Sequence, residues 1–96
     1  MAVIRITRFR VDTTDIDEMI VKRAELIAAV RAAFAGLTEA RLARVDKETW
    51  VDAWRWDSPA SMQVALAAAP ALPEALAAFS LARDLTAEQA ELVDER

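Results

Sequence analysis

The chain contains no histidine, cysteine, tyrosine or asparagine, and only one glycine. Without cysteine there is no disulfide, no thiolate nucleophile and no thiolate metal ligand. Without histidine there is no imidazole base and no imidazole ligand for a metal or a haem iron. The missing tyrosine removes the phenolic acid. Long apolar runs are missing too. Residues 64–79 are alanine-rich but broken by Pro70, Pro73 and Glu74, so no segment reaches the ~18 apolar residues of a membrane span. Positive charge is in short supply: 12 Lys and Arg stand against 16 Asp and Glu, a net charge of −4. That balance disfavours non-specific nucleic-acid binding and adhesion to an anionic membrane. Met1 leads directly into a strand pattern with no basic segment before an apolar run, and the expectation is a cytoplasmic protein.

At 96 residues, 55% of them hydrophobic, the chain is read as one domain spanning 1–96. Its core must be modest, so burial in an oligomer would add to stability. The groups left for chemistry are the carboxylates, Lys22 and Lys47, the arginines, Ser, Thr, Gln and the indoles.

Residues 2–11 are rich in β-branched and aromatic side chains and read as a strand. Val3, Arg5, Thr7, Phe9 and Val11 share one face, and Ile4, Ile6, Arg8 and Arg10 the other. Thr14 with Asp17 resembles a capping box. From Ile16 to Ala35 the apolar spacing is helical, through Met19, Ile20, Leu26, Ile27, Val30 and Phe34, with Arg23 and Arg31 interrupting it. Gly36 reads as the residue just past the helix end. Leu37–Asp46 reads as a second strand, joined by a short polar turn to a third that ends at Asp57. In that third strand Trp50, Asp52, Trp54 and Trp56 fall on one face. Ser58-Pro59 then starts a helix, Ser as N-cap and Pro in the first turn. Pro70 and Pro73 interrupt it, and a last helical piece covers about 73–82. The tail is either a charged helix or a strand over roughly Ala87–Val93. The strand is preferred, because it closes a β-α-β-β-α-β order.

That order is the ferredoxin-like α+β arrangement. VIRITRFRVD, FAGLTEARLAR, WVDAWRWDSPASM and AEQAELVDER follow one another with the spacing of the antibiotic biosynthesis monooxygenase superfamily, which the chain resembles over nearly its whole length. The resemblance implies a dimeric α/β barrel, with a cleft in each subunit between sheet and helices. It further implies either oxygenation of an aromatic or quinone-like molecule without a cofactor, or haem degradation. The residues of the haem-degrading relatives fall near Thr7, Ala65 and Ala75 and are not retained. No cofactor and no metal is therefore expected.

The indole stripe has two readings: a flat wall for a planar ligand, or filling for the core or a dimer interface. Asp52 is either a desolvated acid or base, or the partner of a strand arginine such as Arg41 or Arg5. The arginines of the sheet either hold an anionic ligand or pair across strands and subunits. The candidate ligand pocket comprises Arg5, Thr7, Phe9, Asp52, Trp54, Trp56, Met62 and Leu66. Two functions follow. One is a small monooxygenase acting on an aromatic metabolite; the other is a non-catalytic binding or accessory dimer with the same cleft. The expected partners are a second copy of the chain and an aromatic small molecule.

Overall fold

Backbone pairing turns these patterns into one antiparallel sheet. The computed structural model describes residues 1–96. Its strands are β1 (Val3–Arg10), β2 (Leu37–Arg44), β3 (Thr49–Trp56) and β4 (Arg83–Glu91), and its helices α1 (Ile16–Ala33), α2 (Pro59–Ala68) and α3 (Pro73–Phe79). The sheet order is β2-β3-β1-β4, giving the ferredoxin-like α+β fold. No single helix is long and apolar enough to cross a membrane.

The β1–β3 register sets Val3 opposite Trp56, Arg5 opposite Trp54, Thr7 opposite Asp52 and Phe9 opposite Trp50. All eight side chains therefore lie on one face, and the helices pack there. The opposite face carries Ile4, Ile6, Val51 and Ala53, half-buried and without a covering helix.

On the helix side the core is divided. A larger cluster joins Val3, Leu26, Ile27, Val30, Leu37, Trp56, Met62, Ala65 and Ala75. A smaller one joins Phe9, Val11, Met19 and Trp50. Three elements contribute to both. Along β1, β3 and α1 the order is apolar, polar, apolar: Val3, then Arg5 and Thr7, then Phe9; Trp56, then Trp54 and Asp52, then Trp50; Met19, then Arg23, then Leu26.

Local chemistry explains the joints, and corrects several expectations. The Ser58 hydroxyl accepts the Ser61 N–H at 3.1 Å, with Pro59 in the first turn of α2, which satisfies a donor that the helix start would leave orphaned. The Thr14–Asp17 capping box does not form. Thr13–Asp15 instead makes a single 3-10 turn, and α1 starts without a side-chain cap. In the β2–β3 turn the Asp46 carboxylate accepts the N–H groups of Glu48 and Thr49 at 3.1 and 2.9 Å. Hydrogen bonding from Thr49 and the Glu48 backbone holds that carboxyl below its ordinary 3.8. After α2, a 3-10 turn at Ala69–Ala71 leads into α3, with an axis change of 82°; the prolines stand in the first turn of each piece, where a missing N–H costs nothing. α3 stops at Phe79 rather than 82, and the Ser80 hydroxyl donates to the Ala77 carbonyl there. β4 is a strand, but it begins at Arg83 and ends at Glu91. Pairing with β1 as far as Arg10 draws Arg83–Thr86 into the sheet, and tertiary pairing overrides their modest strand propensity.

Gly36 lies beyond the immediate helix end, since α1 already yields to extended backbone at Phe34. Its need for glycine has another source. It sits at φ +105°, and an added Cβ would come within 2.6 Å of Ser61 Cβ and 2.7 Å of Asp57 Oδ1. The Gly36 carbonyl also accepts the Asp57 N–H at 2.9 Å, so the start of α2 is seated on the start of β2. Gly36→Ala should cost about 2–3 kcal/mol through backbone strain and overpacking. In urea titration the midpoint should fall with an unchanged slope, and adding Ser61→Gly should recover part of the loss.

Candidate functional site

Where the two core clusters part, the polar residues of β1, β3 and α1 meet around a cavity of about 250 Å³. β1 supplies Arg5, Thr7 and Phe9 to its floor, and β3 supplies Asp52, Trp54 and Trp56. The roof comes from Met19, Arg23, Leu26 and Val30 of α1, with Ala65 and Leu66 of α2. Ala75, Ala78 and Phe79 of α3 and Leu85 of β4 complete the wall. Small alanines at these helix positions leave space that larger side chains would fill.

The centre of the site is a three-residue arrangement. Arg23 Nε donates to Asp52 Oδ2 at 2.8 Å, and Arg23 Nη2 to Oδ1 at 2.9 Å. Trp54 Nε1 donates to the same Oδ1 at 2.9 Å. The Arg23 and Asp52 side chains are 19% and 11% exposed. A two-pronged pair in so dry a setting is well oriented, and each charge answers the desolvation of the other. It also fixes the Trp54 ring as part of the cavity wall.

Of the candidate pocket residues read from sequence, Arg5, Thr7, Phe9, Asp52, Trp54, Trp56 and Leu66 all reach the cavity. Met62 does not. It is 3% exposed and packs within the larger core cluster, because α2 turns Ala65 and Leu66 toward the space instead. The tryptophans divide between roles: Trp50 and Trp56 are 7% and 1% exposed and anchor the two clusters, while Trp54 is half-buried. The indole N–H groups of Trp50 and Trp56 have no hydrogen-bond partner.

The expected partners of Asp52, Arg41 or Arg5, are not its partners. Arg41 stands opposite Ala53 and so on the other face, and Arg5 stands opposite Trp54. The partner is Arg23, which the sequence reading passed over. A signal was available: Arg23 lies four residues from both Met19 and Ile27, on the buried stripe of α1, where a charge requires a counterion. Other sheet arginines find ordinary partners. Arg10 pairs with Glu48, Arg41 with Glu39 and Arg55 with Glu95, and Arg44 sits 5.1 Å from the Trp50 ring centroid. Pairing with Arg55 lowers the Glu95 carboxyl below its ordinary value.

No protein-family model matches the chain, and no curated protein matches it in sequence. Solved structures do match. SnoaB, a cofactor-independent oxygenase from Streptomyces nogalater, superimposes with a TM-score of 0.78 at 22% identity, over 98% of this chain and 95% of that one. A protein of Caulobacter crescentus, provisionally assigned as an antibiotic biosynthesis monooxygenase, gives 0.73 at 17% identity, over 97% and 91%. A dimeric ferredoxin-like protein from an uncultured marine organism gives 0.74 at 16% identity, over 99% and 98%. The chain thus has the fold of the antibiotic biosynthesis monooxygenase structures along nearly its whole length.

Removing one member of the ion pair strands the other in a dry site. Asp52→Ala should cost about 2–4 kcal/mol, read from denaturant unfolding, whereas Asp52→Asn, which still accepts hydrogen bonds, should cost less.

Proposed function

We propose that the chain is a small cofactor-independent oxygenase that takes an aromatic or quinone-like metabolite in the cleft between sheet and helices. The observation that carries this reading is the cavity itself, an open cleft lined mainly by apolar side chains, with Trp54 at one side and Arg23, Asp52, Thr7 and Arg5 on its floor and roof. The fold shared with SnoaB supports the choice of chemistry.

In such a reaction the substrate brings the electrons. A ring CH₂ made acidic by a neighbouring carbonyl loses a proton, and the carbanion passes its electrons to O₂. The hydroperoxide that forms loses water and leaves a ketone, so that R₂CH₂ + O₂ gives R₂CO + H₂O. The protein's part is to align the ring, to exclude water and to stabilise the enolate oxygen with fixed donors.

A second reading keeps the cleft and drops the reaction. It is favoured by the residue inventory, since the chain has no Asn, Tyr or His to act on a bound substrate. Anthrone, a three-ring ketone with an activated CH₂, separates the two as a probe. On the first reading it should bind saturably and be converted to anthraquinone with one O₂ consumed per ketone formed, read by oxygen electrode, and Trp54→Phe should weaken binding. Saturable binding without oxygen uptake would select the second reading, and absence of binding would end both.

The working form is proposed to be a homodimer. Ile4, Ile6, Val51 and Ala53 form a half-buried apolar strip on a sheet face that no helix covers, and a second copy of the same face would bury it. Sedimentation at micromolar concentration should give twice the chain mass of 10.6 kDa. Ile6→Glu should shift the protein to monomer, and a wild-type monomer would refute the proposal.

A further inference from the structure

Three charged side chains reach the cavity, and two of them neutralise each other. Arg23 is committed to Asp52 through two nitrogens. Arg5 has no counterion, as it takes part in none of the salt bridges of the chain. Its cross-strand neighbours are Trp54 on β3 and Gln89 on β4, and neither carries charge. Glu91, further along the same face of β4, stands opposite Val3 and is exposed.

Arg5 is half-buried against a mostly apolar wall. Every other arginine contributed by β1 and β3 to a salt bridge does so at the sheet's outer face or rim, as Arg10 and Arg55 do. Among the arginines of the sheet, only Arg5 lines the cleft. A guanidinium so placed is stabilised by an anion that the wall does not supply. The cleft therefore carries one net positive charge inside a chain whose net charge is −4.

We infer that Arg5 sets the specificity of the cleft by pairing with one ionised oxygen, a carboxylate or phenolate, on an aromatic ligand whose ring lies beside Trp54. This rests on the cleft reading above and adds to it the charge of the ligand. The register supports both contacts at once. Arg5 and Trp54 are directly opposed on β1 and β3, so a ring against the indole brings a ring substituent within reach of the guanidinium. The planar fork suits a carboxylate in two-pronged fashion, which a lysine at the same place would not reproduce. Trp54 is itself held by Asp52, so the indole is in place before a ligand arrives.

The test compares 2-naphthoate with its uncharged isostere 2-naphthamide by isothermal titration calorimetry at neutral pH. Wild-type protein should bind the naphthoate about tenfold or more tightly than the amide, the scale of one hydrogen-bonded charge pair. Arg5→Met and Arg5→Gln should abolish that preference while leaving amide affinity within about twofold, and Arg5→Lys should retain part of it. Arg31→Gln, at an exposed position of α1, should leave the preference intact and so account for the overall loss of charge. Two variants at Arg5 guard against loss of fold in one, and far-ultraviolet circular dichroism checks each. Equal binding of both probes to wild type would overturn the inference while leaving the cleft reading in place. Persistence of the preference in both Arg5→Met and Arg5→Gln would overturn the assignment to Arg5. Failure of both probes to bind wild type would remove the cleft reading and the inference with it, and binding of the amide alone would overturn the inference.

Discussion

An arginine on the buried stripe of a helix is tolerated only where a carboxylate comes to meet it. In this chain Arg23 of α1 and Asp52 of β3 meet at 2.8 Å, and the layout of the domain follows from that contact. The pair fixes the rotation of α1 over the sheet and holds polar groups in the middle of what would otherwise be a continuous core. Apolar packing is displaced to either side, toward Trp56 and Val30 at one end and Trp50 and Met19 at the other. The space left between is the cavity. A hydrophobic pair of similar volume at positions 23 and 52 would pack as well or better, but it would leave the Trp54 N–H without its acceptor.

Most of the architecture is legible in the residues because the strongest signals are local. The two-residue period of β3 places the indoles on one face, and Ser58-Pro59 marks the start of α2 in the chain itself. What escaped were features that depend on elements distant in sequence. Arg23 and Asp52 are 29 residues apart, and only the tilt of α1 over the sheet decides which arginine Asp52 finds. Met62 and Leu66 both look like inner residues of an alanine-rich helix, and the helical period cannot say which faces a core and which a void. The early start of β4 is set by the length of β1, a partner more than seventy residues away.

The chain has no His and no Cys, so no side chain of those two switchable types can change the charge of the sheet near neutral pH. A sheet decorated with arginines thus behaves as a fixed electrostatic surface. Its outer pairs, such as Arg55 with Glu95, are exposed enough to be weakened by salt, whereas the Arg23–Asp52 pair is largely shielded from it.

The division of the three indoles has a spectroscopic consequence. Trp56 belongs to the larger core cluster, Trp50 to the smaller, and Trp54 to the space between them. Each region of the domain thereby carries one intrinsic fluorophore, and with no tyrosine present the near-ultraviolet emission is almost wholly theirs. The Trp54 N–H is bonded to a carboxylate while the other two are unpartnered, so their spectra differ in origin as well as in place. Local opening at either end of the sheet and events in the middle are therefore separable by wavelength and by single-tryptophan variants, without any label introduced from outside.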